Sequence, residues 1–386
     1  MTKHFIILLF YFTGLLQSNP ISAQKKNNIF FHWEMAAQLP ASPGQLYSLG
    51  LAGPVAGINK NVLMVAGGSN FPGAMPWLGG KKKYYDDLYA YLIKGGRPVL
   101  QKKEYKLPSA IAYTANCSTP VGIVYAGGEN ERGISKKVFL LKWQQSSSSV
   151  IIKNLPDLPV PVTNASATSD GNIVYVAGGE TTTGVSDLFF SLDLKKTKAG
   201  WRKLPSLPQP TSHAVMVVQL NGKNSSVYLI GGRKKNKTGV SDLYSSVFRF
   251  DIKKNQWEQR QSLPYALSAG TGISTADQGI FIFGGDRGET FHKTEELIAS
   301  INNETDSAKK ELLNTQKIQL QSTHPGFSHD VLLYNTEKNE WKIVDEIPFD
   351  SPVTTTTVKY KNDVFIPGGE IRAGVRTPQI LLGILK

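Results

Sequence analysis

IVYVAGG at Ile173–Gly179 sets five apolar or aromatic residues against a pair of glycines, and the phrase returns five more times. It stands as VLMVAGG (Val62–Gly68), IVYAGG (Ile123–Gly128), VYLIGG (Val227–Gly232), IFIFGG (Ile280–Gly285) and VFIPGG (Val364–Gly369). Successive pairs are 60, 51, 53, 53 and 84 residues apart. A second phrase, ending in Leu-Pro or Ile-Pro, alternates with the first at Pro40, Pro108, Pro156, Pro205, Pro264 and Pro348. A Trp precedes it at Trp33, Trp201, Trp257 and Trp341. Apolar runs this short, bounded by Gly, Asn and Pro, predict strands rather than helices. A four-stranded unit of about 50 residues cannot bury both faces alone; stacking copies radially around an axis does so and leaves only short edges.

The pattern resembles the kelch repeats of β-propellers, and six repeats imply an all-β, six-bladed propeller. FFHWEMAAQLP (Phe30–Pro40) is a last-strand phrase without its Gly-Gly run, whereas the C-terminal repeat lacks its Trp-Leu-Pro strand. The two halves are expected to complete one blade, with strand 30–40 locking the ring and residues 24–386 forming one domain. The long fifth step predicts an insert in the fifth blade, roughly Glu289–His324. Its apolar residues fall at helical spacing over Thr290–Asn302 and Ser307–Leu320. Such an insert is either a lid or wall over one face, or decoration.

The N-terminus concerns address. Lys3 precedes an apolar stretch, Phe5–Leu16, too short to span a bilayer easily, and Ser22-Ala23 offers a small-residue cleavage point. Residues 1–23 read as a secretory signal, with an uncleaved anchor as the alternative. The mature protein is expected to be exported, most plainly to the periplasm, with no membrane association after cleavage. The single cysteine, Cys117, excludes an internal disulfide framework and a Cys-based zinc site. The net charge of +13 is spread as lysine pairs and triplets on turns, such as Lys81–Lys83 and Lys253-Lys254. That placement, without interleaved aromatics, argues against nucleic acid as a partner.

In a four-stranded blade, the loop joining strands two and three lies on the same face as the loop entering the next blade. Residues after each Gly-Gly should therefore converge with those after each Leu-Pro on one mouth of the channel. The first set offers Ser69-Asn70, Glu129-Asn130, Glu180, Arg233, Asp286-Arg287 and Glu370; the second offers Tyr113, Asn164, His213 and Tyr265. Carboxylates, guanidiniums and amides on one rim suit a polyhydroxylated ligand bearing a negative charge, because an Arg fork grips a carboxylate in bidentate fashion. Asn70, Glu129, Glu180, His213, Arg233, Arg287 and Arg372 are the candidate ligand-binding residues. Each alone could equally be a solvated turn or a blade-to-blade ion pair.

GGEIRAGVRT (Gly368–Thr377) places Glu370 and Arg376 six residues apart on a short loop. The pair could form a salt bridge that merely stabilises the last blade. The segment also resembles the GE-x-x-x-G-x-R-T loop of the N-acetylneuraminate epimerases, the bacterial sialic acid mutarotases. Leu51–Trp77, KKKYYDDLYAYL after it, and the insert before HDVLLYNTEKNEWK (His329–Lys342) are similar to that family too. In enteric members the Glu/Arg loop lies mid-chain, so this chain resembles a cyclically permuted branch. The resemblance implies interconversion of the α and β anomers of N-acetylneuraminic acid, with Glu370 and Arg376 catalytic and neither metal nor organic cofactor required. The rival is a propeller that binds an acidic sugar without catalysis. Copper chemistry of the galactose-oxidase kind has no supporting ligand set: Cys117 reads as a small buried residue, and His292, His324 and His329 lack ligand-like spacing.

Overall fold

Each glycine-pair phrase forms the second strand of an antiparallel sheet, and the described residues of the computed structural model form six such sheets, five of four strands and one of five. The structure describes residues 31–41, 45–222, 224–237, 239–275 and 279–386; the signal read at residues 1–23 lies outside them. Blade 1 comprises Val55–Asn59, Val62–Ala66, Asp87–Lys94 and Arg97–Leu100, with Tyr105–Lys106 added on its third strand. Blades 2, 3 and 4 begin at Ala115–Thr119, Ser166–Asp170 and Val215–Asn221. Blade 5 runs from Thr271–Thr275 to Glu340–Glu346. In blade 6, Val358–Tyr360, Asp363–Pro367 and Gln379–Leu385 are joined by Phe31–Gln38, which pairs antiparallel with Gln379–Leu385 from Phe31↔Leu385 to Gln38↔Gln379. The fold is a six-bladed β-propeller.

Alternation decides where the core sits. In Gly279–Phe283, Ile280 and Ile282 pack with blade 4, and Phe281 and Phe283 pack with blade 6. Val62, Met64 and Ala66 likewise face blade 2, while Leu63 and Val65 face blade 6. Both faces of the second strand are covered by neighbouring blades, so its sequence is apolar throughout rather than alternating. The six buried clusters correspond one to one with the six blade–blade interfaces. The tryptophans staple these interfaces: Trp201 and Trp257 Nε1 donate to the carbonyls of Pro156 and Pro205, the Leu-Pro phrase one blade earlier (2.9 and 3.2 Å).

The glycine pair turns the chain out of the second strand. Gly178 and Gly179 adopt φ of 64° and 90°, and a Cβ on Gly178 would lie 2.1 Å from the Thr211 carbonyl oxygen. Only glycine permits both the left-handed backbone and that approach. The close approach has a purpose, since Gly179 N–H donates to the same carbonyl at 2.8 Å.

One further repeat is invisible in composition. Gly53, Tyr113, Asn164, His213, Ala269 and Thr354 all adopt positive φ, between 51° and 61°. Each accepts a backbone hydrogen bond from its counterpart in the next blade: Tyr113 N to Gly53 O, Asn164 N to Tyr113 O, His213 N to Asn164 O, Ala269 N to His213 O, Thr354 N to Ala269 O and Gly53 N to Thr354 O (2.7–3.1 Å). These six bonds close a ring around the channel mouth.

The insert is a helical hairpin, α1 (Glu289–Asn303) and α2 (Ser307–Ser322), between the second and third strands of blade 5. Asp306 caps α2, its side chain accepting from Lys309 N at 2.9 Å. No helix among the described residues is long and apolar enough to cross a membrane.

Candidate active site

The closed ring positions the rim. The residue before each left-handed position forms a β-bridge to the residue just after a glycine pair: Ala52 to Ser69, Ala112 to Glu129, Thr163 to Glu180, Ser212 to Arg233, Ser268 to Asp286 and Val353 to Glu370. Five of those six post-glycine residues, all but Ser69, line a cavity of about 580 Å³ above the ring. Its floor includes Tyr113, Asn164, His213, Ala269 and Thr354. Its walls and roof come from Phe71, Pro76 and Trp77 of blade 1 and from Thr290, Phe291, Glu295, Ile298 and His324 of the insert. A polar floor with aromatic walls in this size range suits a single sugar.

Glu370 and Arg376 meet in this cavity. They face each other in a short antiparallel ladder, Glu370↔Arg376, with a bulge before Arg372. Arg376 Nη1 lies 3.2 Å from Glu370 Oε1. The Arg376 side chain is 5% exposed and its guanidinium lies over the Phe71 ring, 4.9 Å from the centroid. Neither its Nε nor its Nη1 has a hydrogen-bond partner among the described residues, so the Nη1–Glu370 contact is an ion pair without an aligned N–H···O bond. A buried guanidinium with unused donors is a site waiting for oxygen acceptors. Glu370 Oε1 also accepts the backbone N–H of Gly374 at 2.9 Å. Gly374, at φ 71°, is wedged against Pro76, Trp77 and Met75, which fixes the loop against blade 1.

Glu129, Glu180, His213 and Arg233 join them on the cavity wall. Glu129 accepts from Tyr84 OH (2.7 Å) and Lys82 Nζ (3.2 Å), and burial beside this carboxylate holds the Tyr84 phenol well above its usual range. His213 lies between Glu180 and Arg233, and burial followed by the Arg233 charge pushes its pKa well down.

Three expected residues stand elsewhere. Asn70 is buried and structural, donating to Gly50 O and accepting from Tyr85 OH. Arg287 lies over the Tyr265 ring, 3.9 Å from its centroid, and pairs with Asp330. Arg372 is exposed and pairs with Asp350 at 3.2 Å. None of the three lines the cavity. Tyr265 is likewise displaced from the mouth, where Ala269 takes the ring position.

His324, at the end of the insert, is the residue the ligand-binding expectation missed. Its Nδ1 accepts Gly326 N–H at 3.0 Å, which leaves the proton on Nε2 in the neutral ring. Burial lowers its pKa, while the charges of Asp286 and Glu370 act in the opposite sense. It packs against Phe327 and lines the cavity. An insert between strands two and three must project over the mouth, and that topology was the available signal.

The family described as N-acetylneuraminate epimerase (NANM) matches residues 155–386, the stretch containing both Glu370 and Arg376. The N-acetylneuraminate epimerase of Salmonella typhi is 29% identical over 229 residues, 58% of this chain and 57% of that protein. That of Yersinia pestis (strain Pestoides F) is 33% identical over 236 residues, 60% of this chain and 57% of that protein. The chain thus spans just over half the length of the curated relatives it matches. The solved structure of YjhT superposes with a TM-score of 0.61 over 92% of this chain and 100% of that one, at 14% identity, a likeness of fold. With more than half of its length matched by one family, the chain belongs to the N-acetylneuraminate epimerase family.

Proposed function

We propose that the protein catalyses interconversion of the α and β anomers of N-acetylneuraminic acid or a closely related acidic nine-carbon sugar. The observation that carries this reading is the Glu370–Arg376 pair, a carboxylate beside a buried guanidinium with unused N–H donors in a sugar-sized cavity.

The chemistry follows from what each group can do. A guanidinium offers a rigid fork of N–H donors and no base, so Arg376 grips the sugar carboxylate rather than shuttling protons. The anomeric carbon bears that carboxylate, which brings its hydroxyl within reach of Glu370. Glu370 takes the hydroxyl proton as the bond from the anomeric carbon to the ring oxygen breaks and a ketone forms. Both oxygens sit on one carbon, so the same carboxyl group delivers the proton to the ring oxygen. Rotation presents the other face of the ketone; Glu370 takes the proton back from that hydroxyl as its oxygen attacks the ketone carbon, and delivers it to the former ketone oxygen as the ring recloses. A positioned general base contributes about 10²–10⁴-fold. Aromatic rings and the helical insert line the cavity beside the pair, and their low polarity strengthens its ion contacts.

A permuted blade order is part of the reading, supported by a collinear sequence match confined to residues 155–386 alongside a fold likeness spanning nearly the whole chain. Export to the periplasm after removal of residues 1–23, with residues 24–386 as the working unit, rests on the N-terminal sequence.

The test is proton NMR of freshly released α-N-acetylneuraminate with and without the protein. Faster appearance of the β anomer supports catalysis. Binding without acceleration would make the protein a sugar-binding propeller instead.

A further inference from the structure

Arg233, His213 and Glu180, which line the cavity, and the buried Ser212 behind them form a hydrogen-bond chain whose direction is set by the guanidinium at one end and the carboxylate at the other. Arg233 Nη2 lies 3.3 Å from His213 Nε2, and a guanidinium nitrogen can only donate. His213 Nε2 is therefore the acceptor, and the neutral ring carries its proton on Nδ1. That nitrogen lies 3.0 Å from Ser212 Oγ, and Ser212 Oγ donates to Glu180 Oε1 at 3.1 Å. The chain runs from guanidinium to carboxylate: His213 accepts on Nε2 and donates on Nδ1, and Ser212 Oγ accepts from His213 with its own proton directed to Glu180 Oε1 at 3.1 Å, the Arg233 carbonyl lying slightly farther at 3.3 Å. On its other side the guanidinium lies over the Phe291 ring of α1, 4.6 Å from the centroid. Arg233 is thus held between the blade rim and the insert, on blade 4, two blades around the mouth from Arg376 on blade 6.

We propose that His213 is a positioning residue that holds Arg233 as a second gripping point of the cavity, for the hydroxyl-rich tail of the acidic sugar. The inference rests on the proposed function for the identity of the sugar. With the carboxylate end at Arg376 and Glu370, a guanidinium on the other side of blade 5 meets the end of the sugar remote from the reacting carbon. It supplies N–H donors to hydroxyl oxygens there. A protonated His213 would set an N–H against those of Arg233 and break the chain. The groups acting on the ring are Glu180 and Ser212 on Nδ1 and Arg233 on Nε2, and burial with the Arg233 charge keeps it neutral. The device determines specificity: a sugar with the carboxylate but a shortened tail loses this contact.

The test compares wild type with His213→Asn and Arg233→Lys on two substrates. One is N-acetylneuraminate; the other is its seven-carbon analogue, made by periodate cleavage and reduction of the tail. Asn tolerates the left-handed backbone at position 213, as Asn164 does at the equivalent position of blade 3, but is too short to join Ser212 to Arg233. Arg233→Lys keeps the charge and loses the fork. Each variant should raise KM for the full-length sugar about tenfold, with the loss falling on KM rather than kcat, and leave KM for the analogue within about twofold of wild type. An equal rise on both sugars, a loss confined to kcat, or no change on the full-length sugar would overturn the proposal. Should wild type bind without accelerating anomer exchange, the catalytic reading falls. The same comparison then runs on dissociation constants from calorimetry, with the same pattern required.

Discussion

Glu370 and Arg376 sit directly opposite each other in a two-strand ladder, yet their side chains, 3.2 Å apart, make an ion pair without an aligned hydrogen bond. A pair built only to brace the loop would align its donors with the carboxylate. Here Arg376 Nε and Nη1 are buried and unspent among the described residues, and Glu370 is anchored by the Gly374 N–H. The arrangement keeps both groups in place and available.

Arg376→Lys tests the fork. Lysine keeps a positive charge beside Glu370 but cannot offer two parallel N–H donors or lie flat on Phe71. We expect kcat/KM to fall by about tenfold to a hundredfold, with most of the loss in KM, since bidentate charge-assisted bonds are among the stronger polar contacts. Steady-state anomer-exchange rates at several sugar concentrations separate the two parameters.

Gly178→Ala tests the turn that carries Glu180. The added methyl meets the Thr211 carbonyl at 2.1 Å and must adopt φ near 64°. Clash and left-handed strain together should cost roughly 2–4 kcal/mol, read from urea unfolding midpoints at constant m-value. Gly171→Ala is the control: it has a similar φ of 57° with nothing near its Cβ, and should cost no more than about 1 kcal/mol.

The roof is tied down by Glu295 on α1, which accepts from both Ser241 N and Ser241 Oγ at 2.7 Å. Glu295→Ala removes both bonds and leaves the blades untouched. Hydrogen exchange across α1 and α2 should quicken while the inner strands keep their protection, and KM should rise several-fold. Unchanged exchange in the helices would show that the roof is held by other contacts.

Acid should destabilise the protein through its buried histidines. His213 and His324 both have pKa values below the ordinary 6.5, chiefly from burial. Between the folded and unfolded values the unfolded chain binds more protons, so stability rises with pH there. It is complete above about 6.5 and is lost as pH falls below that. Thermal midpoints between pH 7 and pH 5 should fall less steeply in His213→Asn than in wild type. Identical slopes would remove His213 from the account.

The propeller was legible because blade packing leaves a mark on every repeat. A second strand covered on both faces must be apolar throughout, and the turn after it must be glycine. Ile280–Gly285 carries both marks, and Trp201 and Trp257 add the staples. The left-handed ring was not legible, because Gly53, Tyr113, Asn164, His213, Ala269 and Thr354 share a backbone conformation and no side-chain chemistry. That is why Tyr265 was expected where Ala269 stands. Period-two alternation accounts for Asn70 and Arg287. In five of the six blades the first residue after the glycine pair lines the cavity, and the second turns away, Asn70 to Gly50 and Tyr85, Arg287 to Tyr265 and Asp330. Arg372, beyond the bulge next to Glu370, turns outward to Asp350. His324 belongs to the helical insert, which has no counterpart in the other blades among the described residues.

The central claim is that Glu370 moves the proton, and Glu370→Gln addresses it most directly. The amide keeps the shape and can still accept the Gly374 N–H, but it cannot serve as a base. Proton NMR of freshly released α-N-acetylneuraminate should show the wild-type protein hastening the β anomer and Glu370→Gln leaving the spontaneous rate, with sugar binding by calorimetry and the thermal midpoint both retained. Exchange catalysed by Glu370→Gln at the wild-type rate would contradict the assignment.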